Sequence, residues 1–170
     1  MRIGTYAYGA TRNPPANITA HRNVVIWYCP IERCGCHPLD RGPINRSFYH
    51  FAGGIKKWRQ IARQVYLYDY NKGPCSLSTI SETVRAVRRL GVTGMIFDAI
   101  PDIQTGFGFL SYWLWTQSLR CPDWDADKGL RECFAANYGR GGTAHRRIYQ
   151  TAGRPTQLRA GAARHGQHLD

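Results

Sequence analysis

Carboxylates are scarce in this chain. Eleven Asp and Glu stand against 23 Lys and Arg, a formal net charge of +12 over 170 residues. No apolar run approaches the length of a membrane-spanning helix, and the opening Met1-Arg2-Ile3-Gly4-Thr5-Tyr6 lacks the apolar centre of a signal peptide. It reads instead as a strand that starts at once, so the chain is expected to be a piece of something longer. There is no Gly-rich phosphate loop, no nucleophile elbow and no adenine-binding fingerprint, so no cofactor is expected. Nothing repeats at a solenoid period.

The positive charge invites a nucleic-acid partner, but it is spread along the chain rather than gathered on one face. Lysine accounts for four of the 23 cations (Lys56, Lys57, Lys72 and Lys128), so arginine supplies 19. A GC-rich genome produces that bias without any function, and nucleic-acid binding is the weakest of the three functions weighed. The six cysteines are even in number, which alone does not establish a disulfide framework at this length. Cys34-Gly35-Cys36-His37, with Cys29 upstream, offers thiols and an imidazole of the kind zinc takes. The Cys-x-Cys gap is tighter than usual and no second Cys/His pair lies at a finger-like distance. The favoured expectation is therefore no metal, with thiols and a hydrogen-bonded histidine lining a loop.

What the chain does contain is a run of β-formers, Val24-Val25-Ile26-Trp27-Tyr28, stopped by Pro30 and followed by Glu32, Cys34 and His37. The pattern recurs. Val65 to Tyr68 runs into Asp69-Tyr70, and Val92 to Phe97 into Asp98. Apolar on both sides, such runs suit strands covered on both faces. The expected strands are Arg2–Tyr8, Val24–Cys29, Val65–Tyr70 and Val92–Asp98. Between them, Phe48, Phe51, Ile55, Trp58 and Ile61 place one apolar face on a helix over Asn45–Arg63. Ser78 is the expected N-cap of a helix buried through Ile80, Val84, Val87 and Leu90. A helix over Phe109–Leu119 follows, then one capped by Asp125 and closed at Gly139.

Strands alternating with helices over short connections argue a parallel α/β arrangement. Four strands are half the number that closes a (β/α)8 barrel. The fold expected is thus α/β, a partial (β/α)8 (TIM-type) barrel of about four parallel strands with a C-terminal helical segment. Residues 1–150 would form this unit, and residues 151–170 a disordered basic tail.

Catalytic groups in parallel barrels sit at the C-terminal ends of strands. Glu32, Asp69 and Asp98 all fall there and are expected to face one cleft. Glu32, the single Glu at a strand end, is the first choice for an acid/base, and Asp69 could serve as general acid, nucleophile or sugar-hydroxyl acceptor. Tyr8, His37, Tyr70 and Asp98 are the expected substrate-binding groups. The competing expectation pairs each carboxylate with one of the many arginines. Aromatics crowd the same region: Tyr6, Tyr8, Trp27, Tyr28, Tyr66, Tyr68, Tyr70, Tyr112, Trp113 and Trp115. Rings beside a polar cleft stack on sugar faces while their polar tips bond hydroxyls.

Asn23-Val24-Val25-Ile26 with Cys29-Pro30-Ile31-Glu32-Arg33-Cys34 and His37-Pro38-Leu39 resembles a signature of the bacterial domain-of-unknown-function family 4838. That family overlaps the endo-β-N-acetylglucosaminidases of glycoside hydrolase family 163. Asn13 to Ile18, Asn45, Phe48 and Trp58, Tyr66 to Tyr70, Gly91 to Gly94, Cys121-Pro122-Asp123 and Phe134 to Gly139 extend the resemblance in order over about residues 3 to 150. It implies an exported or periplasmic glycosidase of which this chain is the C-terminal barrel half, the N-terminal half being its missing partner. The substrate implied is an N-acetylglucosamine-containing glycan, and the isolated chain is expected to be inactive. Phe97-Asp98-Ala99-Ile100-Pro101 stands where the family usually carries a Glu-containing, Gly-rich segment, which puts one sugar-binding acid in doubt. The alternatives are a carbohydrate-binding remnant without turnover and a basic nucleic-acid-binding module.

Overall fold

A computed structural model describes residues 1–35, 37–41, 50–70, 77, 79–98 and 106–152. Four strands, β1 (Ile3–Ala7), β2 (Val24–Tyr28), β3 (Gln64–Tyr70) and β4 (Gly94–Asp98), form one sheet in the order β1-β2-β3-β4. Every neighbouring pair is parallel. The chain is therefore α/β, with strands adjacent in sequence order as expected, and the arrangement is compatible with part of a parallel barrel. Among the described residues five α-helices accompany the sheet: α1 (Phe51–Ile61), α2 (Ile80–Arg89), α3 (Gly106–Arg120), α4 (Ala126–Tyr138) and α5 (Gly142–Ala152).

In a strand, successive side chains point to opposite faces, and parallel partners share a face. The register aligns Ala7 with Tyr28, Tyr28 with Leu67 and Leu67 with Met95. These residues, with Ile26 and Val65, lie under α1 and α2, packed against Phe51, Ala52, Ile55, Trp58 and Val87. Met95 and Phe97 continue the same face into a second cluster with Leu110, Leu114 and Trp115 of α3 and Phe134 of α4. The helices thus cover one face of the sheet. On the other face the row Tyr6, Trp27, Tyr66, Gly94 runs straight across all four strands. Tyr6 and Ile96 remain 58% and 46% exposed there, so among the described residues nothing covers this side at those points.

Two glycines allow that row to form. A Cβ on Gly4 would stand 2.9 Å from Trp27 Nε1, and one on Gly94 would stand 2.9 Å from the Tyr66 ring. The two aromatic side chains lie over these positions and meet edge to face, with centroids 4.8 Å apart.

Helix α1 begins at Phe51, because His50 has extended backbone and its ring accepts a hydrogen bond from the Gly53 N–H. The start expected at Asn45 lies outside the described residues up to position 49. At α2 the N-cap position falls on Thr79, one residue past Ser78, which is also outside the described residues. Asp125 caps α4 as expected, accepting from Lys128 N–H at 2.9 Å, and Gly139 follows with φ of +48°. Helix α5 was not expected from the sequence. It packs Tyr149 against Phe134, ring centroids 5.4 Å apart, and His145 against Tyr138 at 4.2 Å. Residues 153–170, most of the expected tail, lie outside the described residues. No helix among the described residues is long and apolar enough to cross a membrane.

Candidate functional site

The C-terminal edge of the sheet gathers most of the groups that the sequence singled out, but on two different faces. Asp69 aligns with Phe97, and Tyr70 with Asp98. Asp69 therefore points into the helix layer and Asp98 to the open side. The expectation of one cleft for Glu32, Asp69 and Asp98 does not hold for Asp69, because a single residue of register separates the two faces of a strand.

Asp69 is fully buried. Its two oxygens accept from Arg33 Nε at 2.7 Å and Arg33 Nη2 at 2.6 Å, a bidentate charge-assisted pair. The first oxygen also accepts from its neighbour's backbone, Tyr70 N–H at 2.8 Å. Burial works against the Arg33 charge, but Asp69 and the nearby Cys34 outweigh it, and the guanidinium is held above its ordinary pKa. Arg33 Nη1 further donates to the Cys34 carbonyl at 3.3 Å. The pair thus fixes the loop leaving β2 to the end of β3.

That loop carries Glu32 and His37. Glu32 lies 3.3 Å from Arg12 Nη1, its side chain about half exposed. Arg12 is anchored in turn, since its guanidinium stacks over Phe51 and its carbonyl accepts from Trp58 Nε1 at 2.7 Å. Glu32 is therefore tethered near the start of α1. His37 Nδ1 stands 3.1 Å from the Cys34 sulfur, and Thr79 Oγ1 donates to the Gly35 carbonyl at 3.0 Å. Cys36 lies outside the described residues.

On the open face, Tyr8, Tyr70 and Asp98 come together with three groups that sequence reasoning left among the general aromatics and thiols. The Tyr68 hydroxyl lies near the Asp98 carboxylate; burial, then that carboxylate, push the phenol's pKa up. The Tyr68 ring meets Tyr6 edge-on at 5.7 Å and Tyr70 at 5.4 Å. Tyr70 lies close to Cys29 and Tyr8, and its phenol is pushed far above the usual range, chiefly by burial. Cys29 is itself buried, raised by desolvation, and donates to the Trp27 carbonyl at 3.4 Å. Tyr8 is positioned by Thr11, whose hydroxyl donates to the Tyr8 carbonyl at 2.9 Å in a turn opened by the positive φ of Gly9. The alternation Tyr66-x-Tyr68-x-Tyr70 was the signal for this row, since residues two apart share a face.

Chemically, the open face offers ring surfaces for stacking, several neutral phenol donors and one exposed carboxylate. Among the described residues no three His, Cys, Asp or Glu side chains gather closely enough to hold a metal.

A model of a domain of unknown function, DUF4838, matches residues 1–150. The chain belongs to this family. No curated protein and no solved structure matches it.

Proposed function

We propose that the chain is the C-terminal half of a glycoside-hydrolase-like (β/α)8 barrel and that its open tyrosine face binds N-acetylglucosamine-containing glycans. The observation that carries this is the cluster of Tyr6, Tyr8, Tyr68 and Tyr70 around Asp98 at the C-terminal end of parallel strands. Ligands of parallel barrels bind at that end. Planar rings suit the apolar faces of sugars, and phenol and carboxylate groups suit their hydroxyls. The lower row, Tyr6, Trp27 and Tyr66, would pack against strands of the other barrel half, while the upper groups line the cleft.

Glu32 is the acid/base of this scheme and Asp98 bonds the sugar. Asp69 acts indirectly, holding Arg33 and so the loop that carries Glu32 and His37. Two carboxyl groups normally flank a scissile glycosidic bond, unless the substrate acetamido group replaces the nucleophile. With Asp69 consumed by Arg33, the acetamido route suits these residues better. The same burial favours the second reading, a carbohydrate-binding unit that does not turn over by itself.

The test is titration of the chain with chitooligosaccharides and a complex-type glycopeptide, following tryptophan fluorescence and glycan release. Saturable binding weakened about tenfold or more in Asp98→Asn or Tyr68→Ala is expected, that being the scale of a lost charged hydrogen bond or stacking contact. Binding without release supports the non-catalytic reading. Absence of binding to all of these sugars, or full binding by both variants, overturns the assignment.

A further inference from the structure

We propose that Cys34 and His37 form a nucleophilic thiol–imidazole pair, a modification site at which Cys34 reacts with peroxide while the other described cysteines, Cys29, Cys121 and Cys133, stay comparatively inert. The inference stands apart from the sugar-binding face and does not depend on it. His37 Nδ1 lies 3.1 Å from Cys34 Sγ, within range of a hydrogen bond to sulfur, and both side chains are partly exposed. The backbone around Cys34 is held at three points: Arg33 by Asp69, the Cys34 carbonyl by Arg33 and the Gly35 carbonyl by Thr79.

A thiolate, not a thiol, is the nucleophile, and a neighbouring imidazolium stabilises it. Arg33, paired with Asp69, lies near Cys34 as well, and His37 is the group within hydrogen-bond range of the sulfur. The other described thiols are placed less favourably. Cys29 and Cys133 are buried, and burial pushes both upward. Cys121 is exposed but directly follows Arg120, the last residue of α3, where the negative end of the helix dipole opposes a thiolate.

In the reaction, His37 takes the thiol proton and the thiolate attacks one peroxide oxygen. The S–O bond forms as the O–O bond breaks. The imidazolium proton passes to the departing hydroxide, giving water and a sulfenic acid at Cys34. Sulfur is oxidised by two electrons and the peroxide is reduced by the same two.

Reactivity is measured on the folded chain by competitive alkylation with iodoacetamide and peptide mass spectrometry. Cys34 and Cys36 share the tryptic peptide from Cys34 to Arg41, so fragment ions must separate them. Cys34 is expected to react at least about tenfold faster than Cys121, a ratio that collapses towards unity in guanidinium chloride. His37→Ala should slow Cys34 by about tenfold and leave Cys121 unchanged. After brief peroxide treatment, a dimedone adduct should appear first at Cys34. Equal or faster reaction of Cys121, first adduct formation at any other cysteine, or an unchanged Cys34 rate in a folded His37→Ala chain would overturn the proposal. The comparison within the unmodified chain decides the matter even where the variant does not fold.

Discussion

Strand β3 shows the two faces of the sheet used in opposite ways by alternate residues. Val65, Leu67 and Asp69 point to the helices and are each fully buried. Tyr66, Tyr68 and Tyr70 point the other way and are held by ring contacts with one another, with Trp27 and with Tyr6. On β3 the helix face excludes water by close packing, and the buried Asp69 is tolerated because Arg33 satisfies it. Among the described residues no layer packs over the open face at Tyr6 and Ile96, which stay largely exposed. Burial specifies the fold on one side. On the other, amphipathic rings leave surface that a ligand or further strands can use.

The sharpest way to break the comparison is to disturb the charge on the buried side. Arg33→Ala or Asp69→Asn leaves an uncompensated group in the helix layer and should cost about 3–5 kcal/mol in chemical unfolding. Replacing both, with Arg33→Met and Asp69→Leu, should recover most of that loss, because two apolar groups of similar volume need no partner. If the single variants unfold like the parent chain, the pair is not the anchor of the β2 loop.

Neighbouring residues sharpen it further. Leu67→Ala removes a side chain packed among α1 and strand residues and should cost about 2–5 kcal/mol. Tyr68→Ala, one position on, deletes a larger side chain but loses chiefly its edge contacts with Tyr6 and Tyr70, about 0.5–1.5 kcal/mol each, and should cost less than Leu67→Ala. Equal losses in thermal or denaturant unfolding would mean that the tyrosine face is packed as tightly as the helix face.

The strands were legible because each is a dense run of β-formers ended by proline, glycine or aspartate, and their parallel order followed from the helices between them. The division of faces was legible only within a strand: the spacing in Val65 to Tyr70 separates Asp69 from its tyrosine neighbours. Placing Asp69 opposite Asp98 needs the register of β4, Asp69 beside Phe97, which no local pattern specifies. Nor does spacing pick Arg33, 36 residues away, from among 19 arginines as the partner of Asp69. Gly4 and Gly94 revealed their use only once the Trp27 and Tyr66 rings were seen over them. Helix α5 escaped notice because its apolar residues, Ile148 and Tyr149, are too few to mark a face, and only Phe134 shows what Tyr149 packs against.

The gentlest test acts on the open face through pH. Tyr70 has a pKa raised above that of a free phenol, about 10, by burial beside Cys29. Its neutral form is favoured in the native chain, so its contribution to stability is fully present below about pH 10 and is lost as pH rises through the higher native value. Tyr68 and Tyr149 are raised as well and steepen the same alkaline fall. Tyr70→Phe should therefore move the alkaline unfolding midpoint slightly upward and remove one late phenolate from the near-ultraviolet titration. At neutral pH it loses the contacts of one hydroxyl, about 1 kcal/mol. An unchanged alkaline limb would mean that water reaches the Tyr70 hydroxyl freely. The end of β3 would then be wet on the open side, and the contrast between the two faces would be larger than the ring contacts alone suggest.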